Sequence, residues 1–190
     1  MSASQNKSFG KEIVVQDNPV SRFMFASTYS AWFWLIVRLY VGYQWLEAGW
    51  GKVHEDVWTG AKAGTAIQGF AKKAIAKADT ATGHSDVTGW YANFLEHTVL
   101  PNAKAFSYVV AYGELLVGLG LILGLLTGIA AFFGGVMNVS YLFAGTLSTN
   151  PLLFVLATWL VLAWKVAGWY GLDRWALPRL GTPWEHRRRH

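Results

Sequence analysis

Residues 109–128 read VVAYGELLVGLGLILGLLTG, an apolar run broken by a single charged residue, Glu114. A helix needs about 20 apolar residues to cross the hydrocarbon core of a bilayer, and this run supplies them. Three further stretches are as long, so spans are expected at about 29–51, 104–125, 128–147 and 151–171. The fold class that follows is an all-α integral membrane protein, a four-transmembrane-helix bundle filling one domain over 29–171. Composition agrees. Hydrophobic residues make up 53% and charged ones only 14%, below the charged share of soluble domains. The eleven Trp, eight Tyr and eleven Phe suit membrane interfaces, where amphipathic rings settle at headgroup level.

The connections fix the topology. The second and third spans are joined by LLTG, which permits only a tight hairpin, and Asn150-Pro151 is a good helix start for the fourth. The N-terminal segment 1–28 lacks the compact apolar core and cleavage site of a secretory signal, so the first span is expected to stay as an anchor. That segment carries Lys7, Lys11 and Arg22, and the basic tail 172–190 carries Arg174, Arg179 and Arg187, Arg188 and Arg189. Positive-inside bias therefore places both termini in the cytoplasm of a multi-pass cell-membrane protein. Residues 52–103 become an outward-facing insertion. Within it Ile67, Phe70, Ala71, Ala74, Ile75 and Ala78 form the stripe of an amphipathic helix, with Lys62, Lys72, Lys73 and Lys77 off it. A second, shorter stripe runs through Trp90, Tyr91, Phe94, Leu95 and Thr98. These helices lie on the membrane surface or fold over the bundle as a lid.

Several function classes drop out. The basic residues are dispersed, which disfavours a nucleic-acid partner. No cysteine is present, so no disulfide relay, thiolate metal site, covalent haem or cysteine-ligated iron–sulfur cluster can reside on this chain. His54 and His97 fall near the outer mouth, but ordinary interfacial histidines are the simpler reading; no metal site is expected and haem is disfavoured. No zinc-protease, phosphate-loop or dinucleotide pattern occurs. Gly120, Gly124 and Gly128 repeat at GxxxGxxxG, a spacing that lets helices approach closely in lipid.

Chemistry is carried by the polar residues inside the expected spans: Arg38, Glu47, Glu114, Asn138 and Lys165. A charge at mid-bilayer costs roughly 2.5–3.5 kcal/mol on insertion scales, so such groups turn inward and pair. Arg38 lies ~14 Å from Tyr29, and Glu114 ~15 Å from Lys104, which puts both near mid-depth beside Asn138. An Arg38–Glu114 pair is the cheapest arrangement. Its role is binding or proton transfer, or else a buried pair that fixes helix register. Glu47 points the other way on the helical wheel, aligned with Tyr40, Tyr43, Trp50 and His54 in a stripe that climbs to the outer mouth beside Lys52. Lys165, near the inner end of the fourth span, is placed to snorkel.

RLYVGYQWLEAGWGKV in the first span, GELLVGLGLILGLLTGIAAFFGGVMNVSYLFAGTLSTNP across the second and third, and AGWYGLDRWALPRLGTPW near the end resemble the DoxX/DoxD family of small membrane proteins. The resemblance covers about 29–58 and 100–184 and is weakest over the insertion at 59–99. That family includes the membrane subunit of thiosulfate:quinone oxidoreductase, and other members are associated with membrane redox-stress complexes. The resemblance therefore implies quinone-linked redox metabolism, with membrane quinone as cofactor, a partner redox subunit and a small anionic sulfur substrate. It carries over no assigned catalytic residue. The chemistry required is an apolar aromatic cleft, donors for two carbonyls and a proton supply. Tyr40, Tyr43, Glu47, Trp50, Lys52 and His54 are the expected binding residues; Arg38 or Asn138 would hold a carbonyl and Glu114 or Glu47 would relay protons. A non-catalytic scaffold that recruits soluble redox enzymes is the main alternative. A small-solute transporter is the other, disfavoured by the absence of an inverted repeat.

Overall fold

The computed structural model describes residues 17–78 and 85–181, and every regular element within them is helical. Four long helices form the body: α2 (Ala31–Val53), α5 (Ala103–Leu123), α6 (Thr127–Phe143) and α7 (Asn150–Leu162). Short helices close its two ends. At one end are α1 (Pro19–Ala26), α8 (Trp164–Ala167) and α9 (Asp173–Arg179); at the other are α3 (Thr65–Ala76) and α4 (Gly89–Phe94), the latter running on into a π-turn, Leu95–Val99. The expectations that rest on Lys7, Lys11 and the terminal arginines fall outside the described residues.

Among the described residues, α5 alone is both long and apolar enough to cross a bilayer, with a mean hydropathy of 1.8. α6 and α7 are apolar but shorter, at 17 and 13 residues, and α2 has the length but carries Arg38, Glu47 and Lys52. The stretch 151–171 is not one helix. It breaks after Leu162, because the chain must turn back to bring Gly171 against Gly124 and Asp173 beneath α6. The first helix begins two residues late for a different reason. Ser30 uses its hydroxyl on the carbonyls of Met24 and Ser27 (both 2.8 Å), which folds α1 back beside α2. α1 itself opens on an Asn18 side-chain cap and Pro19, signals of a helix start that hydropathy does not register.

α2 and α5 pack backbone to backbone. A Cβ at Gly49 would lie 2.3 Å from the Leu115 nitrogen, and one at Gly118 2.4 Å from that of Leu46. These two glycines, rather than the GxxxGxxxG run, set the closest helix contact. Behind it Trp34, Val41, Trp45, Val117, Leu121 and Leu160 form the main core. The opposite faces are apolar and exposed: Val109 and Leu116 on α5, Ile129, Phe132 and Phe133 on α6, Leu152 and Val155 on α7. Exposed apolar surface of that extent marks a face meant for something other than water.

The insertion folds over one end of this body. Ile67, Ala71 and Ala74 are buried on α3 while Lys62, Lys72, Lys73 and Lys77 are exposed, as the stripe requires. From Val87 through α4 and the π-turn the buried set is Val87, Tyr91, Ala92, Leu95 and Val99, so of the expected stripe Trp90, Phe94 and Thr98 lie outside it. The π-turn accounts for Thr98. Its i→i+5 bond, Leu100 N–H to Leu95 O at 2.9 Å, widens the helix and turns Thr98 outward. The cap is tied down by Tyr91, whose hydroxyl donates to Ser140 O at 2.8 Å and whose burial pushes the phenol above its ordinary pKa. Ser107 to Trp58 O (2.6 Å) and Lys77 to Gly145 O (2.7 Å) add two further ties.

Candidate functional site

Arg38 and Glu114 do not pair. On α2 the residues Trp34, Arg38, Val41, Trp45, Ala48 and Lys52 share one inward stripe, and the two cations at its ends serve different sites. Arg38 Nη1 donates to the carbonyls of Leu121 (2.6 Å) and Ile122 (3.1 Å), and Nη2 to that of Tyr170 (3.2 Å). The first two are carbonyls of the last turn of α5, where a helix dipole favours a cation. Leu121 lies seven residues from Glu114, about 10 Å along α5. Beside it Asp173 accepts from Leu126 N–H (2.6 Å) and Thr127 N–H (2.9 Å) and so caps the start of α6, where the dipole favours an anion. Leu126 adopts φ 49° and Gly124 φ 63° to make the turn. At Gly124 a Cβ would fall 2.4 Å from Arg38 Nη1, and at Gly168 one would fall 2.1 Å from the Asp173 carboxylate. Arg38 and Asp173 thus clamp the α5–α6 turn, and Arg38 makes no hydrogen bond or ion pair to Glu114.

Glu114 is held by other partners. Gly49 lets α2 touch α5 at Glu114 and Leu115, and Lys52 follows one turn later. Its Nζ donates to Glu114 Oε2 at 2.6 Å, with the two side chains 22% and 2% exposed. The other oxygen, Oε1, accepts from the Tyr141 hydroxyl on α6, also at 2.6 Å. Both carboxylate oxygens are therefore bonded, one by a cation and one by a phenol. Lys52 Nζ also sits 5.2 Å above the Trp58 ring, and Phe70 meets Tyr141 edge-on at 6.0 Å.

These groups line a cavity of about 360 Å³ that opens beneath the insertion. Trp45, Trp58 and Phe70 make its aromatic walls, Glu114 and Tyr141 its polar floor, and the α6–α7 loop its rim. In that loop Gly145 and Ser148 both take positive φ, at 68° and 44°, and Asn150 bonds back to Thr146 O at 3.1 Å. Asn138 lies on the same face of α6 as Gly134 and Tyr141 and is fully buried, yet neither amide atom has a hydrogen-bond partner. Trp45 Nε1, which would lie 3.0 Å from a Cβ at Gly134, is unpartnered too. Unpaired buried polar atoms call for a ligand or water.

The other residues expected to bind are elsewhere. Tyr40, Tyr43, Glu47, Trp50 and His54 do form one stripe, but it is exposed and faces away from the cavity. The reason is the glycine contact: Gly42 and Gly49 bind α2 to α5, which turns the aromatic stripe outward. His54 stacks on Trp50 at 4.5 Å and bonds the Trp50 carbonyl at 2.8 Å. Tyr141, Trp58 and Phe70 escape a sequence reading based on charges in spans; Tyr141 was detectable only as the residue one turn beyond Asn138. Among the described residues no three histidine or acidic side chains gather as a metal site would need.

A helical body with wide exposed apolar faces and a buried ion pair is consistent with a small helical membrane protein. The DoxX family model matches residues 33–147, more than half of the chain, and the protein belongs to that membrane family, which has redox associations. No curated protein and no solved structure matches the chain.

Proposed function

We propose that the protein is a four-span membrane component of quinone-linked redox metabolism and that the cavity above Glu114 receives a quinone headgroup. The observation that carries this reading is the buried carboxylate, bonded on one side by Lys52 and on the other by Tyr141, at the floor of an aromatic cavity. A quinone takes up two electrons and two protons on reduction. Lys52 has N–H donors beyond the one given to Glu114 and is placed to orient a carbonyl oxygen, while Glu114, bonded to both Lys52 and Tyr141, is the base through which protons pass between them. Asn138 and the Trp45 indole are further donors left unspent. Trp45, Trp58 and Phe70 supply flat apolar walls. The charges inside cancel, because Lys52 is neutralised by Glu114. That favours an uncharged ring here over an anion; an anionic sulfur donor such as thiosulfate, or the partner redox subunit that handles it, then meets the Lys-bearing insertion. The electrons come from that donor side, since this chain carries no cysteine-held centre.

The test uses the purified full chain in detergent. Organic extraction and an absorbance spectrum are expected to reveal co-purified quinone, and added short-chain quinone is expected to quench tryptophan fluorescence saturably. Tyr141→Phe and Glu114→Gln each weaken that binding, by about tenfold for a lost charge-assisted bond. No extractable quinone together with no saturable quenching overturns the reading.

A further inference from the structure

The Arg38–Asp173 end of the molecule carries a groove that the redox reading leaves unused. Ile129 and Phe132 on α6, Trp164 on α8, and Leu177 and Leu180 on α9 line a volume of about 510 Å³. Gly128 makes the wall possible: a Cβ there would lie 2.6 Å from the Trp164 Cβ, so α8 seats Trp164 directly against α6. Ile129, Phe132 and Leu180 are each more than half exposed, so the groove is open along its outer side.

A second apolar cavity, of about 480 Å³, continues from the first. The two share Phe132 and Val161 and together follow the α6–α7 seam from Leu126 to Phe143. At about 1.5 Å per residue that track is ~25 Å long, more than the ~15 Å half-thickness of a bilayer's hydrocarbon core. The hydroxyls along it are already spent. Tyr91 donates to Ser140 O (2.8 Å), Ser140 to Val136 O (3.0 Å) and Thr158 to Phe154 O (2.9 Å). Such a track suits a hydrocarbon chain and offers nothing to a polar ligand.

Its foot, by contrast, is basic. Lys165 follows Trp164 and holds its Nζ 5.9 Å from the centre of that ring. Arg174 and Arg179 flank the stripe of α9 that lines the groove, and all three cations are exposed. The one acid among the described residues from 150 to 181 is Asp173, buried with both oxygens on backbone N–H groups. No carboxylate pairs with the three cations among the described residues. Tyr170 and Trp175, both more than half exposed, stand at the same level, as aromatic rings do beside lipid headgroups.

We infer that this end binds one acidic phospholipid, its phosphodiester among Lys165, Arg174 and Arg179 and one acyl chain along the α6–α7 seam. Basic clusters beside membrane helices select anionic headgroups, and the long apolar track supplies the matching site for the chain. A second copy of the protein laid on the same face would instead bring its own three cations against these. The inference rests on the chain's place in a bilayer and is independent of what the cavity over Glu114 receives.

The test titrates the full chain in detergent with dioleoyl phosphatidylglycerol or dioleoyl phosphatidylcholine and counts bound lipids by native mass spectrometry. The acyl chains are identical, so any preference reads the headgroup alone. One phosphatidylglycerol per chain is expected to bind in preference to phosphatidylcholine. Lys165→Gln and Arg179→Gln should each weaken it about fivefold, the effect of one cation near an anionic surface. Lys72→Gln and Lys73→Gln, exposed lysines of the insertion, should leave it unchanged. Phosphatidylglycerol carrying a diazirine on its acyl chain should label α6 or α7 and spare the exposed Leu116 face of α5. Equal retention of the two lipids, an equal loss from the insertion variants, or labelling at Leu116 as strong as on α6 and α7 each overturns the inference.

Discussion

Glu114 owes its position to a glycine three residues before its partner. Without a Cβ at Gly49, α2 lies against the α5 backbone and Lys52 reaches the carboxylate; with one, the helices part. The pair is buried on the acid side and partly open on the lysine side, so its members are not equivalent. Removing Lys52 leaves a carboxylate with only Tyr141, and loss of one partner of a buried pair costs about 3 kcal/mol or more. Lys52→Met should therefore lower the thermal unfolding midpoint sharply. Adding Glu114→Gln to it should recover most of the loss, because the amide carries no charge to strand and still accepts from Tyr141. A full double-mutant cycle in detergent checks this. Strict additivity of the two single effects would mean that the bond is not the source of stability.

At the scale of elements, the helices were largely written in the hydrophobic pattern, and their partners were not. The stripe through Ile67, Ala71 and Ala74 gave α3 its buried face, and Asn150-Pro151 marked where α7 begins. The wheel also grouped Tyr40, Tyr43, Glu47, Trp50 and His54 correctly. It could not say which way they face, since the opposite stripe, Arg38 to Lys52, is as rich in charge and aromatic rings. What decides is glycine: Gly42 and Gly49 select the side that meets α5, and a pattern built on hydrophobicity scores glycine as neutral. The Arg38–Glu114 pairing failed for a related reason. Depth counted from span ends ignores helix termini, and Arg38 bonds the last-turn carbonyls of α5 instead of a carboxylate about 10 Å away. Asp173 went unnoticed because it lies past the last apolar run, although GLD follows the chain's return to Gly124. The glycines supply a direct comparison. Gly49→Ala, whose Cβ meets backbone at 2.3 Å, should destabilise by about 1–3 kcal/mol or more through overpacking. Gly69→Ala on exposed α3, where a Cβ meets nothing, should stabilise by up to about 1 kcal/mol. Thermal or denaturant unfolding of the two variants side by side reads both signs.

The whole molecule has two unlike ends joined by an apolar girdle. One end is the clamp of Arg38 and Asp173 with α1, α8 and α9 around it; the other is the insertion and the 144–149 loop over the cavity. Lysines gather at the cavity end within the long insertion, while Arg174 and Arg179 stand at the clamp end. Charge in a long loop directs insertion weakly and charge beside a span end directs it strongly, so the clamp end is expected on the cytoplasmic side. The cysteine-free chain makes that orientation measurable with a membrane-impermeant maleimide on intact cells. Lys72→Cys on α3 and Arg174→Cys on α9 are both exposed positions, which removes burial as a reason for silence. Lys72→Cys should label from outside, and Arg174→Cys only after the membrane is opened. The reverse pattern would invert the protein and turn the cavity toward the cytoplasm, away from any external sulfur donor. Labelling of both on intact cells would place the two ends on one side and remove the four-span reading, since α2 joins them in a single helix.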